Sequence, residues 1–339
     1  MKVVIAHRTR QARVVDLPEP QGGRNFVTVR VSHSAMVLPN ELQQIESAES
    51  HIRVGEDGFP LGSCASGTII AVGEGVTSLK SGLRVAVSGA PYVYHGSQLV
   101  VPENLAVELP KKVNHEEGAF AGIGAKSMHL LRVAGVQLGE TVLVFGADLL
   151  GIIAAQLIRA AGATPILVDE SEFRLNKGSA LGLPHAFERK DPDFLKTVNQ
   201  LTDAHGADAA LLTRGGDRLA FAMAEELLRD GGVMVLGTPL GGEVSLDRIR
   251  EKQIRVRPGV GGGAGTGDRD FEIAGAGYPR ELIRWTERDN MACFCQLLAD
   301  RKVQISPLVT DRIPIDRAPV AYEKAARGRD SSFGVVLTY

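Results

Sequence analysis

The chain has 339 residues, a length that suggests about two domains and leaves ample room for a large buried core. A net charge of −2, with 44% apolar and 23% charged residues, excludes general disorder and bulk nucleic-acid binding. The 39 glycines exceed the usual ~7%, while aromatics are only 5%, which points to many tight turns and close backbone approaches.

From the N-terminus to about residue 115 the chain reads as short strands and turns. KVVIAH and ARVVDL come first, then Val27, Val29 and Val31 alternate with polar residues, and GTIIAVGEGV, LRVAVSG and SQLVVP follow. The opening apolar run of four, before His7 and Arg8, is too short for a signal peptide, and no apolar segment reaches membrane length. Three cysteines, Cys64, Cys293 and Cys295, are too few for a disulfide framework, so the expectation is a soluble cytoplasmic protein.

From about residue 140 strand-like runs alternate with helix-length segments: TVLVFG (141–146), TPILVD (164–169), ADAALLT (207–213) and GGVMVLG (231–237). That alternation predicts parallel pairing in a doubly wound α/β sheet. Gly162 stops the first helix, Asp191 with Pro192 starts another, and Asp217 caps a third. The glycine-rich stretch 259–267 reads either as a flexible crossover between domains or as a mobile loop over a ligand cleft. Beyond about residue 279 come a helix, PLVTDRIPI, a second helix near Ala318–Ala326 and a last strand, FGVVLTY. Met291, Phe294, Leu297 and Leu298 recur at helical spacing, which points Cys293 and Cys295 apart and argues against a metal pair. If the last strand rejoins the β-rich part, the first domain is discontinuous.

The chemistry is carried by Gly146-Ala147-Asp148-Leu149-Leu150-Gly151, which follows a strand and opens an apolar helix running to about Ala161. Glycines at such a turn let backbone approach a pyrophosphate, and free helix N–H groups favour its charge. Asp169 closes the next strand, where a carboxylate accepts from the adenosine ribose and repels a 2′-phosphate, favouring NAD. Aspartate stands at position 148 where the fingerprint has glycine. Two like charges ~4 Å apart cost about 4 kcal/mol at an effective dielectric of ~20, unless Asp148 turns away to cap the helix.

PLGSCASGTIIAVGEGVTSLKSGLRVAVSG followed by GETVLVFGADLLGIIAAQLIRAAGATPILVDESEFRLNKGSALG resembles the medium-chain dehydrogenase/reductase (alcohol dehydrogenase-like) superfamily along essentially the whole chain. The WTERDNM stretch is similar to the dehydrogenase portion of bacterial bi-domain oxidoreductases. The resemblance implies a GroES-like β-rich substrate domain over 1–115 and 306–339, and a Rossmann NAD-binding domain over 116–305. It implies hydride transfer between NAD(H) and an alcohol or carbonyl carbon, a small-molecule substrate held between the domains, and a homodimer, with no nucleic-acid or membrane partner. Zinc members carry Gly-His-Glu where this chain has Gly62-Ser63-Cys64, and their third ligand falls at about Phe120, so no metal is expected.

Without zinc another group must handle the alcohol proton, and the resemblance offers Lys126, Glu41 and Ser63 as catalytic candidates. Lys126 follows the segment that passes the nicotinamide, or it merely reaches solvent. Glu41 is an orienting carboxylate or a base, and Ser63 relays a proton or leaves space. His33, His95 and His129 read as hydrogen-bonded structural residues. Gly146, Asp148, Leu150, Gly151, Asp169, Arg174, Thr213 and Gly237 are the expected cofactor-binding residues, Arg174 on the adenosine side and Thr213 and Gly237 at the sheet's carboxyl edge. Arg284 and Trp285 offer a bidentate fork and a stacking face to a sugar or acidic substrate, or form part of a helix packed at the domain junction. The expected function is a zinc-independent NAD-dependent dehydrogenase of a polyol, sugar or related alcohol. The alternatives are a quinone or enoyl-type reductase and a non-catalytic binding protein with a degenerate dinucleotide turn.

Overall fold

The computed structural model describes residues 1–51, 57–241, 243–328 and 332–339. Its strands are β1 Lys2–His7, β2 Gln11–Asp16, β3 Phe26–Met36, β4 Gly58–Pro60, β5 Cys64–Val72, β6 Arg84–Ser88, β7 Gln98–Pro102, β8 Ala106–Glu108, β9 Thr141–Phe145, β10 Thr164–Asp169, β11 Ala186–Glu188, β12 Ala207–Leu212, β13 Leu228–Leu236, β14 Arg255–Pro258, β15 Val309–Pro314 and β16 Gly334–Thr338. Helices are α1 Leu38–Glu46, α2 Ala48–His51, α3 His115–Gly118, α4 Ala121–Ala134, α5 Leu149–Ala160, α6 Glu172–Ala180, α7 Pro192–Leu201, α8 Arg218–Leu227, α9 Asp247–Glu251, α10 Arg269–Glu272, α11 Glu287–Ala299 and α12 Ala318–Arg327. The chain divides into two compact units: Met1–Ala125 with Gly263–Asp300 and Leu308–Tyr339, and Lys126–Gly262 with Arg301–Pro307.

In the first unit β15, β16, β3, β5, β6 and β8 lie side by side, with β7 also paired to β3. The C-terminal strand β16 runs antiparallel to β3 and parallel to β15, so the end of the chain completes the sheet built by its beginning. Alternation in β3 sends Val27, Val29 and Val31 into one core with Val85, Val87 and Leu99. Val4, Met36, Leu61, Tyr322 and Leu337 form a second core over α1 and α12. Each such fully buried Val, Leu or Met side chain stabilises the fold by ~1.5–3 kcal/mol.

Residues 263–300 belong with this first unit, whereas the sequence reading set them in the Rossmann domain. The reason is packing: on α11, Phe294 is fully buried with its ring against Gly124, where a Cβ would come within 2.3 Å. Arg288 on the same helix donates to Ser78 Oγ at 2.6 Å. Residues 116–125, also given to the Rossmann domain, likewise group with the first unit. The glycine-rich stretch carries the crossover between the two units, at Gly262–Gly263, and its second half is packed. Gly263 lies against Asn290 and the Glu287 amide, Gly265 against the Phe271 ring, and Thr266 Oγ1 donates to Glu287 Oε2 at 2.7 Å.

The second unit holds a six-stranded parallel sheet in the order β11-β10-β9-β12-β13-β14. Strands covered on both faces need continuous apolar runs, and TVLVF is buried at every position. Leu143 sits in register between Ile166 and Ala210. The chain leaves β9 toward β10 on one side and takes up β12 on the other. Strand order therefore reverses at the carboxyl ends of β9 and β12, where ligands bind in open α/β sheets.

Candidate dinucleotide site

The turn from β9 into α5 is built on two glycines that cannot be replaced without moving backbone. Gly146 has φ +107, and a Cβ on Gly151 would lie 1.8 Å from the Gly146 carbonyl oxygen. Asp148 is the N-cap of α5: its Oδ1 accepts from the Gly151 amide at 2.9 Å. The capping role weighed for Asp148 is thus the conformation adopted. Desolvation raises its pKa above the ordinary carboxylate value; the Gly151 hydrogen bond, Arg174 and Arg214 oppose that rise, and Asp169 adds to it. Leu150 follows in the first turn, and its carbonyl accepts from Ser127 Oγ of α4 at 3.0 Å.

Asp169, at the carboxyl end of β10, is 1% exposed. Its Oδ2 accepts from the Ala147 amide at 2.7 Å, and its Oδ1 from the Glu170 and Ser171 amides at 2.8 and 3.0 Å. Two guanidinium groups flank it, Arg174 Nη1 at 4.0 Å and Arg214 Nη1 at 3.9 Å from Oδ2. Sequence reasoning anticipated Arg174 but missed Arg214, whose place in TRGG carries no local signal beyond the end of a strand. Thr213 is buried with its hydroxyl turned back onto the Phe145 and Gly146 carbonyls at 3.1 and 3.3 Å, so it braces the turn from behind. Gly237 continues the sheet, its amide donating to Leu212 at 2.9 Å. Arg189, also missed, is paired with Glu170 at 3.2 Å and with Asp217, the predicted cap of α8.

In the first unit, Glu41 is 3% exposed and closed into a chain of hydrogen bonds. Its Oε2 accepts from Tyr322 at 2.7 Å and faces His95 Nε2 at 3.3 Å, while Oε1 accepts from the Val37 amide at 2.8 Å. Ser34 Oγ joins His95 Nδ1 to the Tyr339 hydroxyl, both at 2.7 Å. With the His95 proton on Nε2, each link has one donor and one acceptor. Burial opposes ionisation of Glu41 most strongly, but His95, the Tyr322 hydroxyl and the Val37 amide together outweigh it and hold the carboxyl below its ordinary range. The base role expected for Glu41 does not fit such a closed carboxylate; it positions Val37 and His95. His95 is the hydrogen-bonded structural histidine expected.

Ser63 is half-buried, its hydroxyl 3.6 Å from Cys64 Sγ, which lies 3.8 Å from Ser88 Oγ. The α4 residue facing this cluster is Gly122, where a Cβ would meet Ser88 Oγ and Cys64 Sγ; Phe120 is buried core.

Residues 150–272 match the family model described as zinc-binding dehydrogenase. Sorbitol dehydrogenase of Gallus gallus is 27% identical, over 96% of this chain and 93% of its own length. Sorbitol dehydrogenase of Bacillus subtilis is 23% identical, over 99% and 97%. Galactitol-1-phosphate dehydrogenase from Escherichia coli superposes with a TM-score of 0.81 at 20% identity, over all of both chains. Over nearly its whole length the chain is thus similar to sorbitol dehydrogenases, and residues 150–272 match the zinc-binding dehydrogenase model.

Ser63 and Cys64 stand where the resemblance places the His-Glu of zinc members, and among the described residues no three His, Cys, Asp or Glu side chains gather to hold a metal. Cys295 is buried in α11 and its thiol is pushed up to about 12 by burial. Lys126 is half-buried on α4, with no hydrogen bond or ion pair among the described residues. Arg284 and Trp285 precede α11 rather than forming part of it, since the helix begins at Glu287 behind a Thr286 capping box. The Arg284 guanidinium lies over the Trp285 ring at 5.3 Å, so one face of that ring is taken by this arginine. No helix among the described residues is long and apolar enough to cross a membrane.

Proposed function

We propose that the chain is an NAD-dependent, zinc-independent dehydrogenase acting on the CH–OH group of a polyol or sugar-like alcohol, working as a cytoplasmic homodimer. The observation that carries this reading is the β9–α5 turn. Gly146 and Gly151 let the turn close tightly on itself and bring the α5 N-terminus, which favours a diphosphate's charge, to the carboxyl edge of the sheet, and Asp169 stands at the end of the neighbouring strand. These residues fit a dinucleotide: Gly146, Leu150 and Gly151 would line the diphosphate, and Asp169 and Arg174 the adenosine ribose. When bound, the nicotinamide supplies the hydride acceptor or donor.

NAD is favoured over NADP by the carboxylate of Asp169 at the end of β10, whose charge would repel a 2′-phosphate. The polyol reading draws on the sorbitol dehydrogenases and the galactitol-1-phosphate dehydrogenase that this chain is similar to. Zinc does not fit the donor set present: Ser63, Cys64 and Ser88 offer one thiol and two hydroxyls, and Gly122 offers none. The homodimer is carried by the resemblance to the superfamily alone.

Titrating NADH and NADPH against the purified chain while following nicotinamide fluorescence tests the reading. Saturable NADH binding, at least ~10-fold tighter than NADPH, together with polyol oxidation that a chelator leaves unchanged, is the expected result. No saturable signal up to millimolar coenzyme favours the second reading, a non-catalytic binding protein, for which the capping role of Asp148 is the specific observation.

A further inference from the structure

An arginine from the end of a different strand lies against the turn. Where Gly146 lacks a Cβ, one would lie 3.1 and 3.2 Å from Cγ and Cδ of Arg214, so the arginine's aliphatic stem runs along the glycine on which the turn is built. Its guanidinium reaches Asp169 at 3.9 Å, outside hydrogen-bonding distance, and donates no hydrogen bond among the described residues. Arg189 nearby in sequence to the same strand ends is different, because Glu170 and Asp217 already take its charge. Arg214 is also 22% exposed at the side chain, so its five donors are accessible as well as unspent.

The fixed charges around the turn are Asp148, Asp169, Arg174 and Arg214, two of each sign. Remove Arg214 and the set becomes net negative at the place where an anion must sit. A planar guanidinium is also the side chain best shaped to hold phosphate oxygens in a fork.

We propose that Arg214 is a dinucleotide-binding residue that offsets Asp148 and pairs with the diphosphate over the Gly146 turn. The inference rests on the dinucleotide reading of this same site and adds to it the residue that makes an acid tolerable there. Aspartate at 148 and arginine at 214 then act as one unit in place of the missing glycine.

The test measures binding to the full chain, without turnover. NADH, ADP-ribose and adenosine are titrated against wild type, Arg214→Met and Arg214→Lys, with thermal unfolding recorded for each variant. Arg214→Met is expected to weaken NADH and ADP-ribose at least ~10-fold and adenosine less than ~2-fold, and Arg214→Lys to fall between. In an Asp148→Gly background the same Arg214→Met change is expected to cost less than it does in wild type but still more than ~2-fold, since the offset is gone while the contact with the diphosphate remains. Unchanged or tighter NADH binding by both arginine variants overturns the proposal, as does an equal loss for adenosine and ADP-ribose. Wild type that binds none of the three at millimolar concentration overturns the dinucleotide reading itself, and this one with it.

Discussion

His95 Nε2 stands 3.3 Å from Glu41 Oε2 with both side chains out of solvent, at 0% and 3% exposure. The pair ties α1 to the turn before β7, and Tyr322 adds α12 through the same oxygen. Gly62, beside Ser63, packs directly on the imidazole: a Cβ there would lie 2.9 Å from two of its ring carbons. Replacing His95 by leucine leaves a buried carboxylate without its facing donor, a change that typically costs ~3–5 kcal/mol. Glu41→Gln keeps an acceptor in place and is expected to cost ~1–2 kcal/mol. Urea unfolding of both variants checks this order; equal losses would mean that the histidine does no more than fill space.

The same carboxylate predicts an acid limb. Glu41 is held below its ordinary pKa in the folded chain, first against burial and then through His95, Tyr322 and Val37. A carboxyl with a depressed folded pKa contributes stability above its unfolded value, ~4.3, and that stability is lost as pH falls through the folded value. Wild type is therefore expected to lose more urea-midpoint stability than Glu41→Gln between pH 5 and pH 3. Parallel pH profiles would show that Glu41 is not ionised in the native state.

What was legible in the sequence was local. Asp191 with Pro192 caps α7, Asp217 caps α8 and Gly162 closes α5 at φ +81, because caps and glycine stops act within one turn of the chain. The return of FGVVLTY to the N-terminal sheet was also legible, since an apolar strand without a neighbour must pair somewhere. Partners distant in sequence were not. Glu41 meets His95 and Tyr322 from 54 and 281 residues away, and no spacing rule links them. The assignment of α11 to the first unit hangs on Phe294 fitting over Gly124, a matter of packing that helical periodicity cannot register. Arg214 escaped for the same reason: only the folded turn brings its stem against Gly146.

Lys126 is the remaining candidate for the alcohol proton. It is half-buried, and no carboxylate among the described residues pairs with it. Positioned acid–base groups contribute ~10²–10⁴-fold, so Lys126→Met is expected to lower kcat at least ~100-fold while NADH affinity stays within ~3-fold. Ser63→Ala is expected to lose less than ~10-fold. Steady-state kinetics on a polyol, paired with the coenzyme titration, checks both; a change confined to KM would make Lys126 a substrate-holding residue instead.

Asp148 gives the opposite pH dependence to Glu41, and the contrast follows from what surrounds each. Desolvation dominates at Asp148 and raises its folded pKa. The stability associated with its protonated form is complete below the unfolded value, ~3.9, and is lost as pH rises through the folded pKa, so at neutral pH the ionised carboxylate is a cost. Asparagine caps a helix about as well as aspartate. Asp148→Asn is therefore expected to match or exceed wild-type stability at pH 7, by up to ~1 kcal/mol, with the gap narrowing toward pH 4. Because the Gly151 amide is held by the same carboxylate, removing the charge also frees the helix N-terminus for an anion. Asp148→Gly is expected to tighten NADH binding ~10-fold at pH 7–8, at a stability cost of only a few tenths of a kcal/mol from the weaker cap. Fluorescence titration and urea unfolding across pH 4–8 separate the two effects, and an Asp148→Gly protein with wild-type affinity would mean that the carboxylate swings clear of the diphosphate when coenzyme binds.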